Sequence, residues 1–157
     1  MKVRSNRTVT VIGVGNEFRR DDGAGVIAAQ RIEKERLPGV NVIRQSGEGT
    51  ALIEAWRKAE LVFIIDAGRS EAGPGEIFRF DARKQKLPLS VFNNSTHAFS
   101  VAEAIELARI LDCLPPGLIV YAIEGKNFET GTGLSPEVGR AIEKVCQSIT
   151  AEILELS

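Results

Sequence analysis

Four side chains in this sequence combine a reactive type with a suggestive setting: Asp21, Asp22, Asp66 and His97, the sole histidine. The aspartate pair lies in Gly13-Val14-Gly15-Asn16-Glu17-Phe18-Arg19-Arg20-Asp21-Asp22-Gly23-Ala24-Gly25, between an apolar strand pattern and a helical one. Asp66 closes the apolar run Leu61–Ile65. Two carboxylates and an imidazole form a mixed O,O,N ligand set with open positions, suited to nickel, zinc or manganese. The same set can instead supply a general base and a general acid. Each residue also has a structural reading. Asp21 or Asp22 caps the following helix, with Gly23 and Gly25 shaping the turn. Asp66 starts a turn, and His97 is a solvated or internally satisfied side chain.

The elements around these residues decide whether they meet. Thr8–Val14, Gly39–Arg44, Leu61–Asp66, Glu76–Phe80 and Leu118–Ile123 are short segments rich in β-branched residues. The first, third and fifth are nearly continuous apolar runs, as expected of strands covered on both faces. Helical patterns separate them over Gly25–Arg36, Thr50–Lys58 and Ser100–Asp112, and a last one begins at Ser135-Pro136. Ser100 with Glu103 predicts a capping box, and Pro136 suits a first helical position. Val138, Ile142, Val145, Ile149 and Ile153 recur at helical spacing and predict the buried face of the last helix. The order βαβαββαβα predicts one domain over residues 1–157. Its expected fold is a three-layer α/β/α sandwich on a mostly parallel twisted sheet of about five strands. Glu76–Phe80 follows Gly73-Pro74-Gly75 with no intervening helix and is the expected antiparallel strand. In such sheets ligands bind beyond the carboxyl ends of the parallel strands, and Asp22, Asp66 and His97 all fall at that end.

Composition removes several function classes. The 157 residues are 43% hydrophobic and 26% charged, with a formal charge of -1. There is no basic excess for a nucleic-acid backbone, so no nucleic-acid partner is expected. The apolar runs are too short to span a membrane and the charged start lacks a signal-peptide pattern. A soluble, cytoplasmic monomer without a membrane partner is expected. The two cysteines, Cys113 and Cys146, form no CxxC pair and read as buried free thiols.

Nucleotide binding is also disfavoured. A GxGxxG motif starting at Gly13 would need glycine where Phe18 stands, and two carboxylates at a helix start repel phosphate. Serine catalysis has little support, because Arg44 breaks the GxSxG pattern around Ser46 and Ser95 lies too near His97 in sequence. Glu33-Lys34-Glu35-Arg36 reads as a solvated helix face. Arg19 and Arg20 either offset the local acidity or contact a substrate. Phe18 and Phe128 are loop aromatics that either cover the crevice or anchor the core.

Gly13–Gly25, the apolar strand ending in Asp66, His97, and Gly131-Thr132-Gly133-Leu134-Ser135-Pro136-Glu137-Val138 together resemble the hydrogenase maturation proteases. The resemblance runs from about Thr8 to Ile149. It implies an α/β endopeptidase that removes a C-terminal extension from the large-subunit precursor of a NiFe hydrogenase after nickel insertion. It places metal contacts on Asp22, Asp66 and His97, with Asp22 and Asp66 as catalytic carboxylates. The nickel is the precursor's own, so the isolated protein is expected to be metal-free. Glu17 matches no ligand position. Some relatives carry Glu at the position of Asp22, and several have Asp where this chain has Gln45, so any role of that carboxylate is absent or falls to Glu48. A non-enzymatic nickel-protein binding or chaperone module using the same ligands is the alternative. A metal-dependent hydrolase of a small substrate is a third reading.

Overall fold

A computed structural model describes residues 8–46, 49–92 and 100–156. Five strands form one sheet: β1 (Val9–Val14), β2 (Val40–Gln45), β3 (Leu61–Gly68), β4 (Ile77–Asp81) and β5 (Gly117–Glu124), in the order β2-β1-β3-β5-β4. The pairs β1–β2, β1–β3 and β3–β5 are parallel, while β4 runs antiparallel to β5. The helices are α1 (Ala24–Lys34), α2 (Gly49–Ala55), α3 (Leu89–Phe92), α4 (Val101–Ile110) and α5 (Pro136–Glu155). The three layers and the antiparallel edge at β4 follow the sequence expectation.

Strand alternation divides the core between the two faces. Ile12, Val14, Val62, Ile64, Leu118, Val120 and Ala122 point to one side and pack against Leu52 and Trp56 of the α2 region and Ile105 of α4. Val11, Phe63, Ile65, Tyr121 and Ile123 point to the other and meet Ala28 and Ile32 of α1 and the stripe of α5. The five residues expected to form that stripe, Val138, Ile142, Val145, Ile149 and Ile153, are all buried. Each such side chain contributes about 1.5–3 kcal/mol through removal from water.

The Ser100 capping box is formed. The Ser100 hydroxyl accepts from the Glu103 N–H at 3.2 Å, and Glu103 Oε1 accepts from the Ser100 N–H at 3.5 Å. Ser100→Ala is expected to cost about 1 kcal/mol and lower Tm by about 3 °C, as read by thermal unfolding. An unchanged Tm would show that α4 is held by its packing alone.

The strand order also fixes where a site can lie. From β1 the chain crosses through α1 to β2 on one side, then returns through α2 to β3 on the other. The switch point therefore opens between the carboxyl ends of β1 and β3, the place where open α/β sheets bind ligands.

Candidate active site

The start of α1 sits directly over that switch point because two glycines let it. A Cβ on Gly25 would lie 2.1 Å from the carbonyl oxygen of Ile65 in β3 and 2.5 Å from that of Val14 in β1. A Cβ on Gly13 would lie 2.3 Å from the carbonyl oxygen of Gly25. The glycines therefore serve close approach of helix to sheet rather than only the turn between them. A 3-10 turn over Arg20–Gly23 leads into α1 and carries both aspartates.

The two aspartates have separate tasks, and neither side chain caps the 3-10 turn or α1. This corrects the cap reading. Asp21 is fully buried and turns towards segments more than 100 residues away. Its Oδ2 accepts from the N–H groups of Lys126 at 2.8 Å and Asn127 at 2.9 Å and from the Ser135 hydroxyl at 2.7 Å. Its Oδ1 accepts from the Ser135 N–H at 2.8 Å. Burial pushes this carboxyl upward, but the hydrogen bonds from Ser135, Asn127 and Lys126 outweigh it and hold the group below the ordinary aspartate range. Local sequence rules miss this role, because every partner is distant in the chain.

Asp22 is half-buried at the end of β1, where its Oδ2 accepts from the Asn16 N–H at 3.0 Å. Asp66 stands near the carboxyl end of β3, and its Oδ1 accepts from the Ala67 N–H at 2.9 Å. Burial, reinforced by the negative charge of Asp22, pushes the Asp66 carboxyl up to about 8, with the Ala67 N–H opposing the shift. The switch point thus brings Asp22 and Asp66 into electrostatic contact. Among the described residues no positive partner opposes this shift, so the pair suits either a retained proton or an arriving cation.

The third expected ligand, His97, lies outside the described residues, as do Ser95 and Glu48. Among the described residues no three His, Cys, Asp or Glu side chains gather as a metal site. Glu17 is an exposed turn residue and Gln45 a half-buried strand end. Glu33 to Arg36 are exposed, as expected of a solvated face. Cys113 is a correction to the buried-thiol reading: it is exposed beyond the end of α4, which stops two residues earlier than its pattern suggested. Cys146 is half-buried on α5.

Beyond the ends of β3 and β5 lies a cavity of about 860 Å³, whose lining includes neither Asp22 nor Asp66. Arg19, Arg69, Lys126 and Phe128 contribute to its lining. Arg69 places its guanidinium carbon 4.7 Å from the centroid of the half-buried Phe128 ring. Glu124 is buried and accepts from the Ser70 N–H at 2.8 Å and the Ser70 hydroxyl at 2.6 Å. Arg20 engages the same loop rather than the carboxylates: its side chain donates to the Thr132 carbonyl at 3.1 Å. Phe18 is 62% exposed and Phe128 belongs to neither core cluster, so neither loop aromatic is a core anchor. Sequence reasoning did not single out Arg69, although its place just past the end of β3 is the signal that marked Asp66.

The family model for hydrogenase maturation protease (HycI) matches residues 27–152, most of the chain. The chain belongs to the hydrogenase maturation protease family. The enzyme class expected from the sequence, a peptidase, is that of the family. Hydrogenase expression/formation protein HupD of Thiocapsa roseopersicina is 26% identical over 143 residues, covering 89% of this chain. The chain spans 65% of the length of that relative. The NiFe hydrogenase maturation protease HybD from Thermococcus kodakarensis is 26% identical, with TM-score 0.64, covering 93% of this chain and 97% of its own. The hydrogenase maturating endopeptidase HybD from E. coli superposes with TM-score 0.77 over 94% of this chain and 92% of its own. At 21% identity that likeness concerns the fold, which the family member described here shares. Among its described residues no helix is long and apolar enough to cross a membrane.

Proposed function

We propose that this chain removes the C-terminal extension of a NiFe hydrogenase large-subunit precursor once nickel is in place. Asp22, Asp66 and His97 recognise the nickel that the precursor carries. The observation that supports this reading is the Asp66 carboxyl, buried beside the charge of Asp22 and pushed up to about 8. Such a group exchanges its proton for a metal cation readily, because the cation relieves both causes of the shift. Docking of the precursor's metal then sets the adjoining peptide against the carboxylates, and positioning supplies much of the rate. One carboxylate serves as general base towards water while a protonated partner donates to the departing amine. The cation also offers Lewis-acid assistance to the carbonyl. The cytoplasm is the compartment proposed for this step, and a monomer is the proposed active form.

Intact-mass spectrometry tests this. A large-subunit precursor from the same organism is incubated with the protein, once nickel-loaded and once nickel-free. Loss of a C-terminal peptide from the loaded sample alone is the expected result. Cutting in both samples removes the metal checkpoint. Retained binding without cutting, for every precursor of that organism with loading confirmed, replaces the peptidase reading with a nickel-protein binding module.

A further inference from the structure

We infer that the outer edge of β2 binds the C-terminal extension of the substrate as an added β-strand, which leads the bond to be cut towards Asp22. This deepens the proposed function and rests on its peptide substrate. Among the described residues β2 stands at one end of the sheet and pairs with β1 alone. In a parallel ladder each residue turns its N–H and C=O to the same side, and successive residues alternate between the two sides. Two bonds at the ends of this ladder fix its phase. The Val9 N–H donates to the Gly39 carbonyl at 3.3 Å, and the Gly15 N–H donates to the Gln45 carbonyl at 3.0 Å. The backbone groups of Asn41, Ile43 and Gln45 therefore face β1, while those of Val40, Val42 and Arg44 face outward.

The outward groups form a usable set. The Val40 N–H already donates to the Leu37 carbonyl at 3.3 Å. The Val40 carbonyl and both backbone groups of Val42 and Arg44 have no partner among the described residues, which leaves two donors and three acceptors. Their alternation along an extended strand matches the backbone of another extended peptide, the mode of recognition by strand addition. Val40, Val42 and Ile43 are half-buried, so an added strand also covers apolar surface.

The edge also ends in the right place. Gln45 at its carboxyl end is bonded to Gly15, and the next residue, Asn16, donates to Asp22 Oδ2 at 3.0 Å. An added strand lies two strand spacings from β1, about 10 Å, a distance that about three extended residues cross. The bond to be cut therefore stands about three residues along from the one that pairs with Arg44. The opposite edge, β4, does not compete. It lies two strands beyond β3, and its Asp81 carbonyl already accepts from the Lys84 and Gln85 N–H groups, both at 3.1 Å. Recognition through the backbone makes β2 tolerant of the extension's sequence and demanding of its extended shape.

The test uses the full chain and a synthetic peptide copying the C-terminal segment of a large-subunit precursor from the same organism, followed by amide NMR. The Val42 and Arg44 amides are expected to shift and to exchange with solvent about tenfold more slowly, whereas those of Asn41 and Ile43, already bonded to β1, keep their rates. Arg44→Pro removes one outward donor at an edge position that tolerates proline, and weakens the peptide about tenfold. Arg44→Ala keeps the backbone donor and the native affinity. N-methylation along the peptide, which leaves the protein untouched, costs affinity at alternate positions and spares those between. No binding, a flat N-methylation pattern or native affinity in Arg44→Pro overturns the inference. Protection of Val42 and Arg44 that rises with the concentration of the protein alone also overturns it, by assigning the edge to a second copy. With a cleavable precursor, Arg44→Pro raises KM about tenfold and keeps kcat, whereas a native KM in that variant overturns the edge and leaves the cleavage reading standing. If no precursor is cut yet the peptide binds in this alternating pattern, the edge inference holds and the cleavage reading is the one that fails.

Discussion

Asp66→Asn is expected to slow the proposed processing of a nickel-loaded precursor about a thousandfold and, in the same protein, to raise Tm at pH 8. The two effects have one origin. The native carboxyl is pushed up to about 8 by burial and by Asp22, whereas in the unfolded chain it titrates near the ordinary aspartate value of about 4. Between these values the folded state holds a proton that the unfolded state has released. Stability linked to this group is therefore complete below the unfolded pKa and is lost progressively as pH rises through the folded value. An asparagine has no such slope. Its advantage over the native protein grows from pH 4 to pH 8 and levels off above. Asp66 keeps some solvent contact, so the gain is on the order of 2 kcal/mol rather than the full linkage value, or about 5 °C at pH 8. Removal of an acid–base group lowers the cleavage rate by about a thousandfold. Thermal melts at pH 5 and pH 8, with precursor cleavage followed by mass, check both halves. A Tm difference independent of pH would show that Asp66 does not carry the strained charge.

The second large effect is structural. Asp21→Ala is expected to cost about 3 kcal/mol or more and to lower Tm by about 10 °C at neutral pH. Three backbone N–H groups and a hydroxyl lose their common acceptor at a part-buried place. Asp21→Asn does little better, because its amide NH2 meets donors where an acceptor is required. The sign of the pH dependence is opposite to that of Asp66. The Asp21 carboxyl is held below its ordinary range, so its contribution is present above the unfolded pKa and is lost as pH falls through the folded value. Native and variant Tm values should therefore converge in strong acid. Parallel curves down to the lowest pH would assign the loss to packing rather than to the charge. Together the two variants separate the architectural carboxylate Asp21 from Asp66, whose charge is opposed by burial and by Asp22.

Much of this was legible in the sequence because the governing physics is local. Continuous apolar runs at Val9–Val14 and Leu61–Ile65 mark strands covered on both faces. Ser100 with Glu103 writes a helix start, and Gly73-Pro74-Gly75 without a following helix writes the antiparallel edge. The placement of Asp22 and Asp66 at one end of the sheet follows from the same alternation. The rest depends on contacts that no local pattern encodes. Asp21 has the side chain of a helix cap and stands where a cap belongs, yet its partners are Lys126, Asn127 and Ser135. Gly25 reads as a turn former until the carbonyl oxygens of Ile65 and Val14 are seen against it. Cys113 continues an apolar helical pattern, but α4 ends at Ile110 and leaves the thiol at the surface.

The Asp21 clamp has a bearing on how the protein is made. It joins a residue near the start of the chain to Ser135, the residue before α5. During synthesis the carboxylate is complete long before any of its partners has left the ribosome, and such distant closure is among the slower events of folding. Until then the 3-10 turn is held only by its local bonds, such as those between Asn16 and Asp22, and by the packing of Gly25 on β1 and β3. The long-range half of the candidate site's scaffold is consequently completed only when the last helix arrives, and a chain ending before Ser135 lacks that clamp.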